Sequence, residues 1–266
     1  MPELPEVETI RRDLTKKIVG KKITAVIAPD PRVIKEPSAA AFAKGLKGET
    51  IQAILRRAKL LIVQLKADKF LIIHLRLTGW LLYPEPDPKA RVVFKFGDGT
   101  CLNYMDSRLL GELRLRKTWQ DLKFVQELGP EPFDLKAQEF CRMLEGKTTK
   151  IKPLLLDQTF IAGIGNIYAQ EALFAAGIDP HRPGLSLKNA ECLKLHQAIV
   201  DVLRAGIKNR GSSIDDYRDT SGAAGGMEKL LKVYGRQGQA CVVCKKPLKK
   251  IQLAGRGTCF CVACQK

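Results

Sequence analysis

The chain has 266 residues, 45% of them apolar and 6% aromatic, an ordinary globular composition with material for two modest cores. Lysine and arginine number 45 against 28 aspartates and glutamates, and the formal charge of +17 points to a polyanionic partner, because basic side chains release counterions condensed on phosphates. A basic protein without a nucleic-acid role is the competing reading at this level; a membrane span is excluded, since no apolar run approaches about 18 residues.

The start, Met1-Pro2-Glu3-Leu4-Pro5-Glu6, is acidic and proline-punctuated, unlike a secretory signal. From Glu6 to Gly20 the residues Val7, Ile10, Leu14 and Ile18 recur at helical spacing, and Gly20 supplies a stop. Pro2 and Pro5 precede or open that helix, and Glu3, Glu6 and Glu8 lie near the positive end of its dipole. Between residues 22 and 115 the pattern turns to short β-rich runs at 23–27, 51–55, 60–65, 70–75, 92–96, 101–105 and 113–115. Gly97-Asp98-Gly99 is one of the turns between them. The chain therefore reads as α+β, with residues 1–130 forming an antiparallel β-sandwich fronted by a helix.

Composition shifts at Gly129-Pro130-Glu131-Pro132, which marks the domain boundary. Helical patterns follow over 136–145, 151–156, 166–175 and 187–209, predicting a helical domain over 131–232. Within it, the Gly- and Ser-rich stretch 211–226 is long enough to be a functional loop. Residues 233–266 read as a small basic metal module.

Cys241-Val242-Val243-Cys244 and Cys261-Val262-Ala263-Cys264 are separated by 16 residues, which is zinc-site spacing. Four thiolates close a tetrahedral shell, so one structural Zn2+ is expected, and it would supply much of the folding energy of so short a tail. Cys259 breaks the paired spacing and reads as a strand thiol. The other three cysteines, Cys101, Cys141 and Cys192, are scattered, as expected of reduced thiols in a cytosol. Lys245, Lys246, Lys249, Lys250, Arg256 and Lys266 follow Cys241 with no acidic residue among them. Such a hairpin suits a DNA groove, and a partner-binding zinc ribbon with solvated lysines is the alternative.

Four motifs, in order along nearly the whole chain, resemble the formamidopyrimidine-DNA glycosylases, which share a superfamily with endonuclease VIII. They are Pro2-Glu3-Leu4-Pro5-Glu6-Val7-Glu8-Thr9, Ala162-Gly163-Ile164-Gly165-Asn166-Ile167-Tyr168, Val233-Tyr234-Gly235-Arg236 and Gly255-Arg256-Gly257-Thr258. The second is similar to the family's helix–two-turn–helix element. The resemblance implies a monomeric, zinc-containing base-excision-repair enzyme of the bacterial cytoplasm and nucleoid, binding damaged double-stranded DNA in a cleft between two domains.

It also implies roles. With Met1 removed, Pro2 offers a secondary amine titrating near pH 8, so that an appreciable fraction is nucleophilic. Attack on deoxyribose C1′ expels the base and leaves a permanently cationic iminium ion, the electron sink for β,δ-elimination. Glu3 is implied to protonate the opening sugar, which needs a pKa raised by desolvation, and Glu6 supports it. Lys59 matches the lysine used near the lesion and in β-elimination, and Arg256 matches the hairpin arginine of phosphate binding and δ-elimination. Asn166, with help from helix N-terminal amides, and His74 match phosphate-contacting positions, and Lys147 and Lys152 match basic positions that face DNA. For Pro2 and the glutamates the conformational alternative is a helix start; for the lysines it is solvation, and for His74 packing or solvation.

A glycosylase must also fill the space left by the everted nucleotide. The family usually uses methionine, arginine and phenylalanine; Leu77, Arg108 and Leu110 stand at those positions here. Leucine is an apolar wedge that cannot stack as phenylalanine does, while the retained Arg108 favours cytosine opposite the lesion. Arg76 and Ser107 occupy places where glycine and proline are common. Lys89-Ala90-Arg91 replaces two histidines around an acidic residue, and Gln170 replaces a frequent aspartate. The 211–226 loop argues for oxidised purines, 8-oxoguanine and formamidopyrimidines. The alternatives are an endonuclease VIII-like glycosylase for oxidised pyrimidines, a non-catalytic damaged-DNA-binding protein, or an RNA-binding zinc protein.

Overall fold

Helix α1 (Leu4–Ile18) begins with a reciprocal capping box: the Glu3 side chain accepts the Glu6 N–H, and a Glu6 carboxylate oxygen accepts the Glu3 N–H at 2.8 Å. Pro5 in the first turn has no N–H to leave unpaired. The buried stripe Leu4, Val7, Ile10, Leu14 and Ile18 packs on β3 (Ile51–Arg57) and β4 (Leu60–Leu65). The computed structural model describes residues 2–214 and 217–266; Met1, and positions 215 and 216 of the 211–226 loop, lie outside the described residues.

Two sheets make up the sandwich. One runs in the order β1 (Ile23–Ile27), β7 (Val92–Phe96), β8 (Cys101–Asp106), β6 (Gly79–Leu82). The other runs β2 (Ile34–Glu36), β9 (Glu112–Arg116), β5 (Lys69–His74), β4, β3. All pairings are antiparallel except β2 with β9, which is parallel. Helix α2 (Ala39–Leu46), capped by the Ser38 hydroxyl, adds Phe42 and Leu46 to the core beside Phe94. The sequence reading passes over β2, α2 and β6, because three to eight residues are too few for a periodic signal to stand out.

Two segments cross between the sheets side by side. Residues 75–78 join β5 to β6, and residues 107–111 join β8 to β9. The register sets Gly79 opposite Asp106 and His74 opposite Glu112, so both crossovers leave the same edge of the sandwich. Leu77 lies on the first, and Arg108 and Leu110 lie on the second. After β9 comes the short helix α3 (Lys123–Gln126).

Glu8 provides a test of what holds α1 in place. Its carboxylate accepts from Arg11, Arg12 and Arg56 at 2.7–3.1 Å. Burial works against its charge, but these arginines override burial and hold its pKa at about 2 rather than 4.5. A lowered folded-state pKa contributes stability that is fully present above pH 4.5 and is lost as pH falls toward 2. Glu8→Gln is therefore expected to flatten the acid limb of stability across that interval, as read from urea midpoints measured between pH 7 and 2.

By contacts the chain divides into two compact units, residues 1–126 with 207–228, and residues 127–206 with 229–266. This division follows packing and so differs in kind from one made in chain order. The second unit contains α4 (Ala137–Leu144), α5 (Ile151–Leu156), α6 (Asn166–Ala176) and most of α7 (Asn189–Lys208), then the hairpin of β10 (Lys249–Leu253) and β11 (Arg256–Phe260). Helix α6 ends on Gly177, whose φ of 76° provides a left-handed C-cap. Tyr168 lies against Gly206, where an added Cβ would come within 2.6 Å of the ring, so glycine lets α6 and α7 approach. The two-residue turn Ala254-Gly255, with φ of 49° and 70°, has the two positive φ values of a type I′ turn and sets Leu253 opposite Arg256. Among the described residues no helix is long and apolar enough to cross a membrane.

Candidate active site

Pro2 and Glu3 are buried at the start of α1, with Glu3 only 2% exposed. Glu6 fastens this end to the base of the 211–226 loop: besides the Glu3 N–H, its carboxylate accepts the Ser212 N–H at 2.9 Å. Gly211 has a φ of 81°, and a Cβ there would reach within 2.8 Å of Glu6 Cγ, so this seat requires glycine. The rest of the loop base is held to α1 by charge. Arg210 donates to Asp13 at 2.6 Å and to Asp219 at 2.7 Å, and Lys17 donates to Thr220 Oγ1 at 2.7 Å. Tyr217 is buried with the sandwich core. None of these long-range contacts carries a local sequence signal.

Lys59 is 8% exposed, in the tight turn between β3 and β4. It follows Ala58, whose φ of 51° is left-handed and costs a non-glycine residue about 1–2 kcal/mol. Strain of this kind collects at functional positions. His74 is half-buried at the end of β5, and its Nδ1 accepts the Arg76 N–H at 3.0 Å. Burial, reinforced by the Arg76 and Lys59 charges, pushes its pKa down to about 3. The ring is therefore neutral, and because Nδ1 accepts, its proton sits on Nε2. Leu77 and Leu110 are 37% and 41% exposed on the paired crossovers, and Arg108 is exposed between them in sequence. Arg76 has a φ of 51°, which explains why glycine is the common residue at this place.

In the second unit, Arg256 opens β11 and is exposed, as is Lys147. Lys152, which the resemblance sets toward DNA, is fully buried, and its Nζ donates to Thr258 Oγ1 at 2.8 Å. That hydroxyl in turn donates to the Arg256 carbonyl at 3.1 Å, so Lys152 reaches the hairpin arginine through one intermediary. Asn166 opens α6; its Nδ2 donates to the Gly257 carbonyl at 3.3 Å, and its Oδ1 is buried without a protein partner. Gln170, buried one turn later, accepts the Cys259 N–H at 2.6 Å and donates to the Asn166 and Gly257 carbonyls. An aspartate could accept from Cys259 but could not donate. Gln170→Ala is expected to cost about 1–3 kcal/mol through the unpaired buried amide, and hydrogen exchange at the Cys259 N–H is expected to accelerate.

The Sγ atoms of Cys241, Cys244, Cys261 and Cys264 all lie within 4.8 Å of one another. The Cys241–Cys264 and Cys244–Cys261 separations, 3.9 and 3.4 Å, suit a tetrahedral shell with Zn–S bonds of about 2.3 Å. The Val243 N–H donates to Cys241 Sγ at 3.4 Å, a bond that favours thiolate over thiol. The set is a one-zinc, all-thiolate structural site. Cys259 is buried in the neighbouring apolar cluster and is not one of the four.

A sandwich with a buried Pro2-Glu3 start, a helical unit and a four-thiolate basic hairpin define the class: a zinc-finger nucleic-acid-binding protein with a candidate N-terminal nucleophile. The formamidopyrimidine-DNA glycosylase N-terminal domain profile matches residues 1–113, its H2TH domain profile residues 128–218, and a zinc finger found in FPG and IleRS residues 238–266. A formamidopyrimidine-DNA glycosylase of Pelotomaculum thermopropionicum is 43% identical over 274 residues, covering 100% of this chain and 99% of the relative. One from Moorella thermoacetica is 45% identical over 260 residues, covering 95% of each. Among solved structures, a Lactococcus lactis FPG mutant in complex with a Fapy-dG containing DNA superposes with a TM-score of 0.92 at 40% identity, covering 100% of both chains. The Lactococcus lactis Fpg with an abasic site containing DNA gives 0.92 at 40% identity, covering 99% of both. The chain belongs to the formamidopyrimidine-DNA glycosylase family over its whole length.

Proposed function

We propose that this protein excises oxidised purines, 8-oxoguanine and formamidopyrimidines, from duplex DNA and then cleaves the abasic strand. The observation that carries the reading is the buried Pro2-Glu3 start of α1, fastened through Glu6 to the base of the 211–226 loop. With Met1 removed, this supports a reading in which a terminal amine, a carboxyl acid and a loop able to enclose an everted base share one anchor. The solved relatives bound to Fapy-dG and abasic-site DNA support the substrate class.

In this reading the Pro2 nitrogen bonds to C1′ as the glycosidic bond breaks and the base leaves with the electron pair and a proton. Glu3 supplies the proton that opens the sugar ring. The iminium then acidifies C2′, and successive eliminations release the 3′ and 5′ phosphates, with Lys59 acting in the first and Arg256 in the second. Arg256, Asn166 and Lys147 hold phosphates, neutral His74 donates through Nε2, and Lys152 seats the hairpin. Leu77, Arg108 and Leu110 enter the duplex. Residues 1–130 carry the nucleophile, the acid and Lys59, 131–232 the helical DNA platform, and 233–266 the zinc hairpin with Arg256. The protein acts as a monomer in the cytoplasm, at the nucleoid.

Borohydride trapping on duplexes carrying 8-oxoguanine opposite cytosine, a formamidopyrimidine or an oxidised pyrimidine tests this. Covalent capture of the purine lesions is expected, abolished by Pro2→Gly or by a retained Met1, which turns the amine into an amide. Capture of oxidised pyrimidines alone would move the protein to the endonuclease VIII branch. Absence of capture on any lesion or abasic site, with a verified Pro2 terminus, would leave a damage-binding protein.

A further inference from the structure

Asp106, at the end of β8, is 2% exposed and serves both crossovers at once. Its Oδ1 accepts the Thr78 hydroxyl at 2.6 Å and the N–H groups of Arg108 and Leu109 at 3.1 and 3.0 Å. Its Oδ2 accepts the Gly111 N–H at 2.7 Å and the Tyr104 hydroxyl at 3.4 Å. Its carbonyl accepts from Arg91 Nε at 2.9 Å. Thr78 is the neighbour of Leu77, and Gly111 is the neighbour of Leu110. The backbones close in around the same point: a Cβ at Gly79 would lie 2.9 Å from Tyr104 Oη, and one at Gly111 would lie 1.7 Å from it. Glycine at both places lets the two backbones pass close to the same Tyr104 hydroxyl.

We propose that Asp106 is a positioning residue that binds the Leu77 and Leu110 tips into one rigid wedge, with the Thr78 hydroxyl as the link between the two halves. The inference rests on the reading that these leucines enter the duplex. Its physical need is specific to this chain. A phenylalanine tip gains stacking energy from the bases it separates, whereas a leucine tip has only shape and apolar area. Two leucines held at fixed spacing open one continuous gap; two independent leucines would each lose rotational and loop entropy on entry. Arg91 belongs to the same device, since its grip on the Asp106 carbonyl holds the strand end from which the second crossover departs.

Thr78→Val removes the link and keeps the shape, while Thr78→Ser keeps the hydroxyl. Single-turnover excision from a lesion-bearing duplex is expected to fall at least tenfold in Thr78→Val and to return to within about twofold of wild type in Thr78→Ser. Borohydride capture on a single-stranded abasic oligonucleotide, which needs no wedge, is expected to be equal in all three. Leu77→Ala and Leu110→Ala are expected to be strongly non-multiplicative in the wild-type background, because losing either tip disables the pair, and multiplicative in the Thr78→Val background. If the leucine variants impair excision and Thr78→Val matches wild type, the inference falls and the wedge reading stands. If the leucine variants leave duplex excision unchanged, both fall together.

Discussion

Glu3→Gln is expected to slow excision of an intact oxidised purine by about 10²–10⁴-fold, the usual worth of a positioned general acid. Capture of an abasic site formed beforehand is expected to be almost unaffected. An abasic sugar already exchanges with its open aldehyde, so the Pro2 amine can add without an acid to open the ring; an intact nucleoside offers no such route. The substitution keeps the capping-box contacts of the helix start. Glu3 acts as the N-cap of α1 by accepting the Glu6 N–H, and the glutamine oxygen can accept it equally well. The Glu3 N–H remains on Glu6, and Glu6 remains on Ser212. Unfolding midpoints are therefore expected to match wild type, and the effect is expected in kcat rather than KM, because a proton transferred only in the transition state contributes nothing to ground-state binding. Equal losses on the intact lesion and on the preformed abasic site would instead assign Glu3 to holding Pro2 in place.

Much of this site can be read in the sequence because it is built from short-range features. The Pro2-Glu3 start, the lysine of the β3–β4 turn and the Asn166 opening of α6 are legible because their short motifs resemble the family's, and the paired cysteines because their spacing is that of a zinc site. The strands of the sandwich are visible for a similar reason: Leu60–Leu65 and Lys69–His74 are apolar enough to stand out from their turns. What holds these motifs in place is not visible. Asp106 appears in the sequence as the last residue of a strand before a loop, and nothing local says that Thr78, 28 positions earlier, will be its partner. The same is true of Glu6 with Ser212 and of Arg210 with Asp13, which are 206 and 197 positions apart. Those contacts pack residues 207–228 with the sandwich, although the chain reaches them only after the helices. Lys152 shows the converse: a lysine in a basic chain reads as a surface charge, and only tertiary packing shows its ammonium enclosed and directed at Thr258. Departures from the family pattern become interpretable in the same way, with Arg76 standing in a left-handed turn and Gln170 clamping two carbonyls that an aspartate would leave alone.

Stripping the zinc is expected to unfold the C-terminal hairpin and to lower duplex affinity by on the order of 10²-fold or more at moderate salt, while the sandwich stays folded. Apart from the metal site, the hairpin is held by a few contacts of Lys152, Asn166 and Gln170 with β11. Strands β10 and β11 pair only with each other, and a two-stranded sheet is at best marginally stable in water. Four-thiolate zinc binding contributes an apparent 10–16 kcal/mol, about as much as a whole domain's net stability. Phe174 and Val233 pack beside the cysteines, and that small cluster is assembled around the metal site. Losing the hairpin disorders the surface that carries Arg256 and the lysines at 245, 246, 249 and 250; on the proposed reading that these charges meet phosphates, the slope of log affinity against log salt is expected to become shallower as well. Fluorescence anisotropy of a labelled duplex at 50 and 200 mM salt, before and after chelation, measures both quantities. Cys244→Ser is expected to reproduce the chelated state, and cobalt substitution of wild type is expected to show the intense visible bands of tetrahedral thiolate ligation. Cys259→Ser is the contrast, because Cys259 stands outside the four-thiol cluster, so its zinc content and salt slope are expected to match wild type. Unchanged affinity and slope after complete zinc removal would assign DNA binding to the rest of the chain and make the hairpin a solvated basic ribbon. A loss with Cys259→Ser equal to that with Cys244→Ser would mean that packing around the hairpin, and not the metal, holds the basic surface in place.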